Sequence, residues 1–134
     1  MGNRAVVCFS ESGEYSESLL GLYVHWNGGR DSIEGFLKAT KTLLGDDGWT
    51  LQTGWDKFLD VIGAYQTGWT EVDVCTKLDT DNNDNGVYVV GPSLSIVSRE
   101  FRRYDEQYEY DLDEFTSEVL EKYHAKRSKP SASE

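Results

Sequence analysis

The residues best suited to chemistry lie at 25–31, His25-Trp26-Asn27-Gly28-Gly29-Arg30-Asp31. A β-rich run ends there in an aromatic, the chain turns on two glycines, and a helical pattern begins. Backbone N–H groups at a helix start favour anions. Arg30 adds a planar cationic fork, and Trp26 or His25 offers a face on which a base or ribose can stack. The stretch is not a P-loop, because no Gly-Lys-Ser/Thr is present, and the Gly-x-Gly-x-x-Gly dinucleotide fingerprint is absent too. The same residues also suit a plain tight turn, with Trp26 in the core and Arg30 paired to a carboxylate.

Arg99, Arg102 and Arg103 form the one dense basic cluster before the C-terminal tail. On a strand, Arg99 and Phe101 would share one face and Arg102 the other. The cluster suits either a pocket for an anion or pairing with the acids that follow it, Asp105, Glu106 and Glu109. The run Asp81-Asn82-Asn83-Asp84-Asn85-Gly86 has the oxygen ligands and glycine of the first half of an EF-hand loop. With Asp81 as position one, however, position twelve is Pro92 rather than a bidentate Glu. A turn between strands explains these residue types without a metal.

Catalytic groups are sparse. His25 and His124 are the two histidines and Cys8 and Cys75 the two cysteines, which make no metal-ligand set. Neither Gly-x-Ser-x-Gly nor His-Glu-x-x-His occurs. No catalytic residue, metal or cofactor is therefore assigned, and the reading is of a protein that is not an enzyme.

Positioning these residues falls to a modest set of elements. Strands are expected at Arg4–Phe9 and Leu19–Trp26. A helix at 32–44 combines an Asp31/Glu34 capping box with an apolar stripe of Ile33, Phe36, Leu37, Thr40, Leu43 and Leu44, and Gly45 stops it. A second helix at 54–65 starts from Thr53 with Asp56 and carries Trp55, Phe58, Leu59, Ile62 and Tyr65. Thr70–Leu78 alternates as a half-buried strand. Short strands at Val87–Val90 and Leu94–Val97 then suggest a three-stranded meander. Asp111 and Glu114 cap a third helix at 111–124, striped with Leu112, Phe115, Val119 and Tyr123. The class is α+β, an antiparallel sheet of about five short strands with three helices on one side, in the order ββααβββα. Residues 1–127 form a single domain and 128–134 a flexible tail. Gln-Thr-Gly-Trp occurs at 52–55 and 66–69, but the flanking residues differ and no repeat architecture follows.

Composition agrees with one folded domain. The chain has 134 residues, 38% hydrophobic, with four Trp, eight Tyr and five Phe. It lacks an apolar run long enough to span a bilayer and shows no signal-peptide pattern at its start. Lys plus Arg is 13 against 24 Asp plus Glu, a net charge of −11. Such a surface repels phosphate backbones, which argues against a nucleic-acid partner, although it permits a local basic pocket for a small anion. The acidity also allows an alternative, an inhibitor that imitates DNA and blocks a host DNA-binding protein. Between 105 and 121 there are eight acidic residues and no basic one. Both cysteines lie in apolar, strand-like runs and are expected to be reduced and buried.

Four segments carry a resemblance: Met1-Gly2-Asn3-Arg4-Ala5-Val6-Val7, His25 to Ser32, Asp84-Asn85-Gly86-Val87-Tyr88-Val89, and Arg99-Glu100-Phe101 before an acidic Tyr-Asp-Leu helix. Together they resemble small acidic proteins of bacteriophages and prophages, and among these the anti-Thoeris sponge proteins. That resemblance implies a non-enzymatic protein in the host cytoplasm. It would bind a cyclic ADP-ribose isomer made by a host defence enzyme and withhold it from the effector, working as a homo-oligomer with neither membrane nor nucleic acid as partner. Two phosphates and an adenine call for arginines, an aromatic stack and Asn side chains. The ligand-binding set so implied is Trp26, Asn27, Arg30, Asn85, Arg99, Phe101 and Arg103, Asn85 lying beside an Asp-Asn-Asn insertion at 81–83.

Overall fold

Val6, Val7 and Cys8 are fully buried although their side chains alternate between two faces, so the first strand must be covered on both sides. A computed structural model, describing residues 3–46, 48–66, 68–103, 105–106 and 108–128, shows how. β1 (Ala5–Phe9) is the middle strand of a five-stranded sheet. It pairs antiparallel with β2 (Leu20–Val24) and parallel with β4 (Val87–Val90), in register Val6↔Val87 and Phe9↔Val90. β3 (Thr70–Val74) lies outside β2, and β5 (Ile96–Glu100) outside β4. The spatial order is β3-β2-β1-β4-β5.

The element order is ββααβββα, as expected, and the fold is α+β. The sheet is mixed rather than wholly antiparallel, because β1 and β4 run parallel. No β3-β4-β5 meander forms. The expected strand at 70–78 stops at Val74, and Cys75–Lys77 coil into a 3-10 turn. Cys75 and Leu78 then pack on Val6, Cys8, Tyr23, Val87 and Val89, on the sheet face away from the helices. Burying those two residues carries the chain across the sheet, so β4 joins β1 and not β3. Likewise Leu94 sits in the turn after β4 with φ +58°, which moves the last strand from the expected 94–97 to Ile96–Glu100.

All three helices pack on the other face, over Ala5, Val7, Phe9, Leu22, Val24, Tyr88 and Val90. α1 (Arg30–Leu44) contributes Ile33, Phe36 and Leu37, and α2 (Leu51–Tyr65) Trp55, Phe58 and Ile62. α3 (Leu112–Ser128) contributes Phe115, Val119 and Tyr123. Phe36 and Phe58 have no exposed surface, and burial of each such side chain stabilises by roughly 2–3 kcal/mol.

Two of the three helix starts differ from expectation. α2 begins earlier, at Thr50, whose side chain and that of Thr53 cap each other's backbone N–H groups reciprocally. α1 is capped by Gly29 without a side-chain bond, and Asp31 is taken into its first turn. At α3 Asp111 does cap, accepting from the Glu114 amide at 3.0 Å, and the helix runs past the expected 124 to Ser128. The rest of the expected tail lies outside the described residues. Cys8 and Cys75 are buried free thiols. Contact with Cys75 and burial push the Cys8 thiol up, while the Cys8 hydrogen bond draws Cys75 down.

Candidate functional site

Gly28 and Gly86 make the close approaches on which the site depends. A Cβ at Gly28 would stand 2.5 Å from the Asn3 carbonyl oxygen, and one at Gly86, where φ is +68°, 2.3 Å from that of Glu100. These contacts bring the start of α1, the start of β4 and the end of β5 to one end of the sheet. Tyr88 ties them together. Its buried hydroxyl donates to the Gly28 carbonyl at 2.7 Å, and its ring lies 3.7 Å beneath the guanidinium carbon of Arg99, its partner across β4 and β5.

Arg99 is held from several directions. Its Nε donates to the Val87 carbonyl at 3.1 Å, one Nη donates to the Asn85 carbonyl, and the other to Glu106 Oε1. Arg30 donates through Nε to Glu34 and through Nη1 to Glu106 Oε2, both at 2.7 Å. One carboxylate thus bridges two guanidinium groups, each binding a different oxygen. Burial disfavours the charged form of Glu106, but the hydrogen bonds from Arg99 and Arg30 outweigh it and hold this carboxyl below its usual range.

The neighbouring acidic segment is anchored by Asp31, which is buried. One of its oxygens accepts the Ser32 amide at 2.7 Å, and the other accepts the Tyr110 amide at 2.7 Å together with that of Glu109. Arg30 also heads a groove of about 450 Å³ between α1 and the turn before β5. Arg30, Lys38 and Lys41 line it as cations, with Arg30 paired to Glu34 and Lys38 to Asp113 at 2.6 Å, and Leu37, Leu94, Ile96 and Leu112 form its apolar wall.

The expected site residues divide into two groups. Arg30 and Arg99 meet on Glu106, and Asn85 meets Arg99 through its backbone carbonyl. The Asn85 amide group itself faces Asn3 and the Arg4 carbonyl and is 5% exposed, so it has no free donor for a ligand. Arg103 is bound instead to Asp81. The strand reading for Phe101 fails, because β5 ends at Glu100. At φ +58° the backbone turns and sets the ring edge-on to Tyr15, which packs on the face without helices.

Asn27 donates to Gln66 Oε1 at 3.2 Å. Trp26 is half exposed, not a core residue, and sits edge-on to His25, which stacks on Trp69 beyond β2. β2 and β5 are three strand spacings apart, roughly 14 Å, so the aromatic group and Arg99 belong to different parts of the surface. Pairing of the basic cluster with the acidic stretch is realised between Arg99 and Glu106.

Lys38 and Lys41 are parts of the site that the sequence reading passed over, whereas Glu106 entered it only as one of three candidate partners for the basic cluster, Asp31 as a helix cap and Tyr88 as a strand residue. The two lysines were findable, since 30, 34, 37, 38 and 41 fall on one helical face. Among the described residues no group of three or more His, Cys, Asp or Glu could hold a metal. In the loop at 81–86, Asp81 is turned to Arg103 and Asp84 to Arg4. No helix of the described residues is long and apolar enough to cross a membrane. Comparison with protein-family models, curated proteins and solved structures finds no match to this chain.

Proposed function

We propose that this chain binds and retains, without cleaving it, a small cyclic nucleotide of the cyclic ADP-ribose type, and so withholds that signal from a receptor in the cytoplasm of a phage-infected bacterium. The observation that carries the reading is the charge arrangement. On a chain of net charge −11, Arg30 and Arg99 converge on a single anion, and Arg30 continues into a groove with Lys38 and Lys41. A phosphate pair needs several guanidinium and ammonium donors gathered in one place, and the apolar wall of the groove suits the flat side of a base. The sequence resemblance to anti-Thoeris sponges points the same way. The exposed Trp69, Trp26 and Val72 at the β3 edge supply apolar surface for self-association, the oligomeric state that the resemblance implies.

The test is incubation with cyclic ADP-ribose isomers, removal of free ligand, heat release and mass spectrometry. Recovery of unchanged isomer supports retention. Recovery of an altered product indicates an enzyme, and recovery of none removes the nucleotide reading. Light scattering checks self-association: a mass of about 15.2 kDa at micromolar concentration would be that of a monomer and would contradict it.

A further inference from the structure

We infer that Glu106 is an internal stand-in for the ligand's phosphate, and that binding proceeds by exchange of this carboxylate for an external phosphate or pyrophosphate between Arg30 and Arg99. The inference rests on the nucleotide-binding reading for the identity of the ligand, and on the geometry alone for the exchange. Two guanidinium groups that each bind a different oxygen of one carboxylate present the donor pattern that a phosphate accepts.

The arginines do not depend on Glu106 for their positions. Arg99 is fixed by the Val87 and Asn85 carbonyls and by the Tyr88 ring, and Arg30 by Glu34 one helical turn on. Removal of the Glu106 carboxylate therefore leaves a preorganised pair of cations with their donors still aimed at a common point. The Glu106 side chain is 19% exposed, so an anion can reach it from solvent. Asp31 holds the chain again at Glu109 and Tyr110, which allows the carboxylate to leave while the entry to α3 stays in place. The charges facing the exchanged group are Arg30, Arg99 and Glu34. With Glu106 present they balance, and without it one positive charge is uncompensated. An internal competitor lowers the apparent affinity by the fraction of molecules in which it occupies the site.

The test uses inorganic pyrophosphate as the probe, on wild type, Glu106→Gln and the double variant Glu106→Gln/Arg99→Ala, with circular dichroism checking the fold. The inference predicts that Glu106→Gln binds pyrophosphate at least about tenfold more tightly than wild type, and that the double variant loses the gain. A folded Glu106→Gln that binds no better than wild type would overturn it. A second readout needs only the wild-type chain. The carboxyl carbon resonance of Glu106 should move to the position of a free carboxylate as pyrophosphate saturates the protein, and an unmoved resonance at saturation would also overturn the inference. Cyclic ADP-ribose is titrated in parallel. Exchange with pyrophosphate but no nucleotide binding would sustain this inference and refute the nucleotide reading. Nucleotide binding with a static Glu106 would do the reverse.

Discussion

The hydroxyl of Tyr88 donates to the carbonyl oxygen of Gly28, sixty residues away in the chain, at 2.7 Å within the core. This bond fastens the turn before α1 to the strand that carries Arg99's supporting ring, so it sets how far Arg30 stands from Arg99. Tyr88→Phe removes the donor and leaves a buried carbonyl unpaired. The expected cost is about 1–3 kcal/mol, read as a lower urea midpoint at unchanged slope. A midpoint equal to wild type would show that the bond does not hold the two segments together.

Asp31→Ala should be more damaging. It leaves the amides of Ser32, Glu109 and Tyr110 without their acceptor. A loss of roughly 2–3 kcal/mol is expected from removing a charged, buried acceptor. Amide exchange at Glu109 and Tyr110 should accelerate more than exchange in the middle of β1. Uniform acceleration would mean that Asp31 acts on the whole fold and not on the segment before α3.

The arginine pair makes stability depend on pH. The Glu106 carboxyl is held below its usual range in the folded chain, so the unfolded chain binds the proton more readily. Its contribution is present above the unfolded carboxylate range, about pH 4–5, and is lost as pH falls through the lower, folded value. Between pH 6 and pH 3, wild type should lose more stability than Glu106→Gln. Parallel losses would show that Glu106 is not a linked group.

Calcium should have no effect. Asp81 and Asp84 are each committed to an arginine, and the Asn82 side chain is bonded to the Asp79 carbonyl and to the Gly86 amide and carbonyl. Addition of calcium, or of a chelator, is expected to leave Tm unchanged. A rise of several degrees with calcium would reveal a site at 81–86.

The helices were legible in the sequence because their stripes are local: Phe36 and Leu37, Phe58 and Ile62, and Phe115 and Val119 lie on core-facing surfaces. The caps were less so. Thr53 with Asp56 has the spacing of a box, whereas the reciprocal bonds form between Thr50 and Thr53, a pair without the Glu or Gln that marks the motif in sequence. Asp31 has the residue type and spacing of a cap, but its decisive partners are at Glu109 and Tyr110, beyond any local pattern. The parallel β1–β4 pairing was hidden for a similar reason, since it depends on Cys75 and Leu78 finding the far face of the sheet. In the site, Arg30 and Arg99 stood out as rare cations in an acidic chain. Glu106 was legible only as one of three candidate partners, with Asp105 and Glu109, among eight acids between 105 and 121. Trp26 and Phe101 were chosen by residue type, and type does not say on which part of the sheet a ring will lie.

Calorimetric titration of cyclic ADP-ribose isomers into wild type and Arg30→Ala tests the central claim most directly. Arg30 suits the purpose because its bonds are to the Glu34 and Glu106 side chains, whereas Arg99 also braces backbone carbonyls and its loss would weaken the fold. A charge-assisted contact of this kind contributes roughly 1.5–3 kcal/mol. The account predicts that one isomer binds wild type and that Arg30→Ala, with its melting temperature little changed, binds it about ten- to a hundredfold more weakly. Equal affinity in a folded Arg30→Ala would contradict it and place the nucleotide elsewhere on the molecule.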